Sequence, residues 1–366
     1  MEDYKVFGSE RTLHTGNEYE VKSLLFLVSI HQQRKKLYYY FVDIFNDMSA
    51  LPRDGEYIID IQSKGDKNMS PNELGDRLIT LFKNYISKFD FKDYILVVAN
   101  NLVNKHLNEQ PNKDTNIKHF KLIDNFNDNA IEICKESLKN KVMSYGFFKN
   151  WKEGKSESFI MQQIEEFLKE VNIFIADMEK HKYIELLLGV EGYEDTELLN
   201  GIFEEIAMHQ IFKKSNANIE GEVIVEPLYA LRFNRHLNYE QIQTLIIKRV
   251  IDNEYIANQN AVPRFFQHYL STSFPFLEHN QIVEKCKDNI SISLFNTNNR
   301  EPFWEGFLEI FNFVRDVNDN ILDLLSCYAS LDKSSLIKML VDNDYDTQLY
   351  MLAMIIEGVM NYDKNN

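Results

Sequence analysis

The stretch Glu56-Tyr57-Ile58-Ile59-Asp60-Ile61-Gln62-Ser63-Lys64-Gly65 decides how this chain is read. Its apolar content makes it a strand, and on a strand successive side chains face opposite sides. Tyr57, Ile59 and Ile61 then point into a core, and Glu56, Asp60, Gln62 and Lys64 point the other way. A carboxylate, a carboxamide and an ammonium in one row must each be hydrogen-bonded or solvated. The row makes sense where a divalent cation and a phosphate lie over that face. Carboxylate and amide oxygens bind a hard cation. A lysine beside them orients the attacking water and offsets phosphate charge during in-line displacement.

Working outward, Asn17 to Lys36 has the apolar spacing of a helix, and Leu37 to Phe45 reads as a strand. Leu51-Pro52-Arg53-Asp54-Gly55 reads as a turn. Ser70-Pro71-Asn72-Glu73 opens a helix to about Lys88, with Ser70 as N-cap, Pro71 at the first helical position and Glu73 completing a capping box. Tyr94 to Ala99 reads as a short buried strand, His119 to Ile123 as another, followed by a helix through Leu138. The order is that of a small α/β sheet domain. From Ser156 the periodicity turns helical, as in Phe159, Ile160, Ile164, Phe167, Leu168 and Val171. Only Gly221 to Pro227 looks like a strand there.

These residues together resemble the PD-(D/E)xK nuclease superfamily, in its Q-x-K form at Gln62-Ser63-Lys64. The pattern also asks for an acid before that strand, which Asp47 supplies, with Asp43 or Asp60 as alternatives. It asks for a glutamate on the first helix as well. Gly16-Asn17-Glu18-Tyr19-Glu20 resembles the G-x-x-[YF]-[QE] opening of one branch, the double-stranded DNA endonuclease domain of bacterial anti-phage systems of the CBASS and Lamassu types. Glu20 matches the helix position, ahead of Glu18. The resemblance covers residues 12 to 100. It implies a restriction-endonuclease-like fold in which Glu20, Asp47 and Gln62 surround Mg²⁺ (or Mn²⁺) and Lys64 serves the attacking water. The helical C-terminal half departs from the α/β sensor domain of CBASS nucleases. It suits the nuclease subunit of a Lamassu-like system, which implies an SMC-like ATPase and an accessory subunit as partners.

Hydrophobic residues make up 44% of the 366 and aromatics 13%, ample for two buried cores. The net charge of −16 is unevenly spread. Residues 1–155 hold 23 Lys and Arg against 22 Asp and Glu, and residues 156–366 hold 17 against 34. An acidic surface of that size repels a DNA backbone unless it is turned away. The opening Met1-Glu2-Asp3-Tyr4 is not a signal peptide, and Leu349 to Ile356, the longest apolar run, is far short of the roughly 20 residues of a membrane span. Cys134, Cys286 and Cys327 are scattered and odd in number, as in a reducing cytoplasm.

Other signals carry less. Asp342-Asn343-Asp344-Tyr345-Asp346 starts like a calcium loop, but Thr347 stands where glycine is needed and Ala353 where glutamate is needed. It reads as an acidic loop capping the next helix. That helix, Thr347 to Tyr362, is apolar nearly all round, which implies a central core helix or one shared at an interface. Phe303, Trp304, Phe307, Phe311 and Phe313 read as core.

The expectation is an α+β protein with a nuclease domain at 1–155 and a mostly helical regulatory and oligomerisation domain at 156–366. Its expected function is Mg²⁺-dependent cleavage of double-stranded DNA in the cytoplasm, as an effector of a prokaryotic defence system that assembles into a homo-oligomer when active. The rivals are a non-catalytic scaffold keeping the nuclease fold and an RNase on the same core.

Overall fold

The computed structural model describes residues 4–6, 17–65, 69–99, 106, 118–193, 196–216, 218–251, 254–258, 260–296, 299–317 and 323–360. Gly16 and Tyr362, named above, lie outside them. The chain divides into two compact units, 1–183 with 206–239, and 184–205 with 240–366. The boundary expected near residue 155 falls inside the first.

Unit 1 holds every strand described. They are β1 (Tyr4–Lys5), β2 (Leu37–Val42), β3 (Met48–Pro52), β4 (Ile58–Lys64), β5 (Phe91–Val98), β6 (Lys118–Lys121), β7 (Val171–Ile175), β8 (Val223–Ile224) and β9 (His236–Asn238). Seven form one mixed sheet in the order β6-β7-β5-β4-β3-β2-β9, and β1 pairs with β8 in a separate ribbon. β2, β3 and β4 are antiparallel neighbours; β5 runs parallel to β4, and β7 parallel to β5.

Two departures from the sequence reading matter. Met48–Pro52 is a strand, although Leu51 and Pro52 signal a turn; the turn proper starts at Arg53. Val171–Ile175 is an inner strand lying in a region read as helical. The segment read as a strand at 221–227 contributes only Val223–Ile224.

The helices of unit 1 are α1 (Asn17–Ser29), α2 (Pro71–Arg77), α3 (Ile79–Tyr85), α4 (Leu122–Asn125), α5 (Asp128–Ser144), α6 (Lys149–Lys152) and α7 (Glu157–Glu170). α8 (Lys180–Leu188) and α9 (Thr196–Ser215) run across the division between units. The Ser70 capping box forms as expected, Glu73 N–H donating to Ser70 Oγ at 3.3 Å and Ser70 N–H to Glu73 Oε2 at 2.8 Å. The single helix expected to Lys88 is two, separated at Leu78. One face of the sheet packs on α2, α3, α5 and α7 through Ile58, Leu96, Ile173, Leu78, Phe82, Leu138 and Phe167. The other face meets α1, whose Phe26 stacks on Phe174 of β7 with ring centroids 4.2 Å apart.

Unit 2 has no strand among its described residues. Its helices are α10 (Tyr239–Val250), α11 (Glu254–Ala257), α12 (Arg264–Ser273), α13 (His279–Phe295), α14 (Arg300–Val317), α15 (Leu324–Ser330), α16 (Lys333–Met339) and α17 (Tyr345–Met360). α17 is buried at every position from Thr347 to Val359, the behaviour of a central helix. Phe303, Trp304, Phe307 and Phe311 are buried as core, and Phe313 is half-buried. The acidic loop caps α17, Thr347 N–H donating to Asp344 Oδ2 at 3.2 Å. The three cysteines are free and buried. Among the described residues no helix is long and apolar enough to cross a membrane.

Candidate metal centre

The site is built at the junction of three backbone elements of unit 1. The antiparallel register pairs Met48 with Ile61 and Ser49 with Asp60, so Asp47, just before β3, comes opposite Gln62 on β4. Separation by 15 positions in sequence becomes direct contact: Gln62 Nε2 donates to Asp47 Oδ2. The Ser63 N–H and hydroxyl donate to the same oxygen at 2.8 and 3.0 Å. Lys64, two residues beyond Gln62, ends the strand on the same face.

The turn before β3 is tightly specified. Asp43 adopts a left-handed backbone, φ 53°, which aspartate tolerates better than most residues. Its N–H donates to the Asp47 carbonyl at 3.1 Å, closing the turn. Arg235 clamps it from the segment before β9, with Nη1 3.0 Å from Asp43 Oδ2. Asp43 is therefore committed to a salt bridge, while Asp47 faces the Q-x-K strand.

Glu20 arrives from the first turn of α1. Gly65 brings the end of β4 close to that helix: a Cβ at Gly65 would lie 2.9 Å from the Tyr19 ring. Glu20 Oε1 sits 3.1 Å from Lys214 Nζ, both side chains about one-tenth exposed. Glu18 is half-exposed, paired with Lys22 at 2.9 Å, and takes no part.

The carboxylates feel one another. Burial pushes Glu20 up to about 7, against the pull of Lys214, with the Asp47 and Asp43 charges adding to the rise. Burial likewise lifts Asp43 to about 6, against Lys214 and Arg235. Asp47 is raised by burial too, although Lys64, the Ser63 N–H and hydroxyl, and Lys214 all favour its charged form. Glu20, Asp43, Asp47 and Lys214 thus act on one another, and Lys64 acts on Asp47.

Asp60 does not belong at its surface. The row on β4 was expected to be an open face, but α3 covers it there, and Asp60 is fully enclosed. Asn84 Nδ2 donates to Asp60 Oδ2 at 2.6 Å, Asn46 Nδ2 to the same oxygen at 3.3 Å, and Ser49 Oγ to Oδ1 at 3.2 Å. The fit to a metal is therefore a question for Glu20, Asp47 and Gln62. Two carboxylates and an amide are the hard oxygen donors a divalent cation prefers. Gln62 accepts from Thr80 Oγ1 at 2.7 Å through Oε1, which leaves its amide nitrogen toward Asp47. Turning the amide over would present oxygen to a cation and keep the Thr80 bond, because a hydroxyl can accept as well as donate. Among the described residues no three His, Cys, Asp or Glu side chains form a ready cage. The donor types suit a cation once the Gln62 amide is turned over and Lys214 is drawn off Glu20.

Lys214, Arg235, Thr80 and Asn84 were not singled out in the sequence. The adjacent lysines Lys213-Lys214, set in the acidic half, were the one visible hint.

No family model matches the chain, and no solved structure matches it. It is 27% identical over 164 residues to a protein described as "Putative ankyrin repeat protein L767" from Acanthamoeba polyphaga mimivirus. That alignment takes in 44% of this chain, and the chain spans about a quarter of the relative's length, 25%.

Proposed function

We propose that the chain hydrolyses phosphodiester bonds with a divalent cation, Mg²⁺ or Mn²⁺, held by Asp47, Gln62 and Glu20. One observation carries this reading: Asp47 lies against Gln62 and Ser63 at the end of β4, with Lys64 next on the same face. Glu20 enters that cluster from a separate helix. A cation bound there supplies Lewis acidity toward the scissile phosphate. Asp47 and Glu20 provide its negative ligands, and Thr80 fixes the Gln62 amide. Lys64 orients the attacking water and offsets charge on the phosphate as it develops. Duplex DNA as substrate, the antiviral setting, and the SMC-like ATPase, accessory subunit and homo-oligomer as partners come from the sequence resemblance alone; the geometry speaks to the chemistry.

One observation favours a second reading, a scaffold that keeps the fold without the reaction. Lys64, Lys214 and Arg235 already balance the three carboxylates Glu20, Asp43 and Asp47. The test is to titrate the full chain with Mn²⁺ by calorimetry and to assay cleavage of plasmid DNA, linear duplex and single-stranded RNA with Mg²⁺ or Mn²⁺. Mn²⁺ binding, with cleavage reduced about 10²-fold or more in Asp47→Ala and Lys64→Ala, is expected. A chain that neither binds Mn²⁺ nor cleaves any substrate is a scaffold; cleavage that survives both substitutions removes the mechanism.

A further inference from the structure

We infer that Lys214 is a built-in competitor for the cation site: its ammonium is paired with Glu20, one of the carboxylates assigned to the cation, and a divalent ion binds by displacing it. The inference rests on the metal-dependent reading above and adds a residue far outside the Q-x-K region.

Lys214 stands at the C-terminal end of α9, within the part of that helix that belongs to unit 1. Its Nζ lies 3.1 Å from Glu20 Oε1, and its charge also acts on Asp43 and Asp47. Three acids meet three bases there, because Arg235 takes Asp43 and Lys64 lies beside Asp47. Removing one member of such a partly buried set leaves an uncompensated charge, which is strongly unfavourable. A divalent ion entering with Lys214 in place would make the cluster over-positive and would find Glu20 already occupied. Displacement answers both difficulties.

A displaced ammonium needs an acceptor. Gln210 lies one helical turn before Lys214, and side chains four apart on a helix are neighbours. It is fully buried, and neither its Oε1 nor its Nε2 makes a hydrogen bond among the described residues. An unpartnered buried amide is costly. Its carbonyl oxygen, one helical turn before Lys214 and without a partner among the described residues, is the acceptor assigned to the displaced ammonium. The Gln210–Lys214 pair then works as a two-position device: ammonium on Glu20 without metal, ammonium on Gln210 with it.

The experiment measures Mn²⁺ binding to the full chain by calorimetry, without nucleic acid, in wild type, Lys214→Met and Lys214→Gln. Circular dichroism melts establish that each variant is folded. Both variants are expected to bind Mn²⁺ at least tenfold more tightly than wild type, and Gln210→Leu severalfold more weakly. Unchanged or weaker binding in both folded Lys214 variants, with wild type binding normally, overturns the inference and leaves the metal site standing. Unchanged binding in Gln210→Leu overturns the receiving role of that amide. Absence of Mn²⁺ binding in all of them fails the metal site itself, and the competitor with it.

Discussion

Asn84 donates from one amide nitrogen to the Asp60 carboxylate at 2.6 Å and to the Phe45 carbonyl at 3.1 Å, tying the floor of β4 to the turn that carries Asp47. Tyr4 joins the same network, its hydroxyl 2.9 Å from Asn84 Oδ1 and 3.0 Å from the Phe45 carbonyl. Asn84→Leu therefore leaves Asp60 enclosed with fewer donors and frees the turn two residues before Asp47. The expected cost is about 1–3 kcal/mol, that of buried polar groups left unpaired, measured by urea denaturation. A larger proportional loss in Mn²⁺ affinity should accompany it. Unaltered stability would show that Asp60 finds other partners.

Enclosure sets a pH dependence. Burial raises Asp60 to about 7 in the folded chain from 3.8, outweighing the Asn84, Asn46 and Ser49 hydrogen bonds that favour its charged form. A carboxyl raised on folding binds its proton more tightly in the native state. Its contribution is thus fully present below about pH 4 and is lost as pH rises through about 7. The thermal midpoint of wild type minus that of Asp60→Asn should fall between pH 5 and pH 8. A difference that stays flat over this range, or rises, would contradict the assignment.

Two neighbours on β4 should respond differently to truncation. Ser63→Ala removes the hydroxyl at 3.0 Å from Asp47 but keeps the backbone N–H at 2.8 Å, so the carboxylate stays in place. Its Mn²⁺ affinity should change about tenfold at most, in keeping with about 0.5–1.5 kcal/mol for one hydrogen bond. Lys64→Ala should leave Mn²⁺ binding at least as tight as in wild type, because a positive charge near the ligands is gone, while cleavage is lost. Parallel loss of binding and cleavage in Lys64→Ala would make the lysine a structural prop.

Cutting the chain at residue 155 should not yield a folded catalytic unit. β7 at 171–175 lies between β5 and β6 in the sheet, and Lys214, Arg235 and β9 come later still. Fragment 1–155 should lack a cooperative melt, whereas fragment 1–239, which carries the nine strands found among the described residues, should show one. Cooperative unfolding of the shorter piece would mean that β5 and β6 close the sheet without β7. The charge division follows the compact units too: unit 1 has 30 Lys and Arg against 31 Asp and Glu, unit 2 has 10 against 25.

What the sequence disclosed and what it hid have physical reasons. Alternation over Tyr57 to Lys64 gave β4 and put Gln62 and Lys64 on one face, and the capping residues gave the start of α2. β3 was concealed because all five residues are buried, which erases alternation, and because Pro52 mimics a turn. β7 was concealed because α7 runs straight into it at Glu170 with no glycine or proline between, so its apolar residues extend the helical period. That Asp47, Gln62 and Lys64 come close together was legible because the local β3–β4 register sets them there. Lys214 and Arg235 were not, since nothing local in a sequence reports a partner almost two hundred positions away.

The sheet order also bears on how the chain is made. β2, with Tyr38, Tyr39, Tyr40 and Phe41 in succession, pairs on one side with β3 and on the other with β9 at 236–238. Synthesis proceeds from the N-terminus, so the first four strands of the sheet leave the ribosome long before β9 exists. Throughout that interval an aromatic strand presents unpaired backbone groups, the kind of edge that recruits other chains. Until residues 214 and 235 are made, Glu20 lacks Lys214 and Asp43 lacks Arg235. A nascent polypeptide stalled before residue 236 is therefore the species most exposed to aggregation, and holding or slowing translation there would be expected to call for a chaperone on β2.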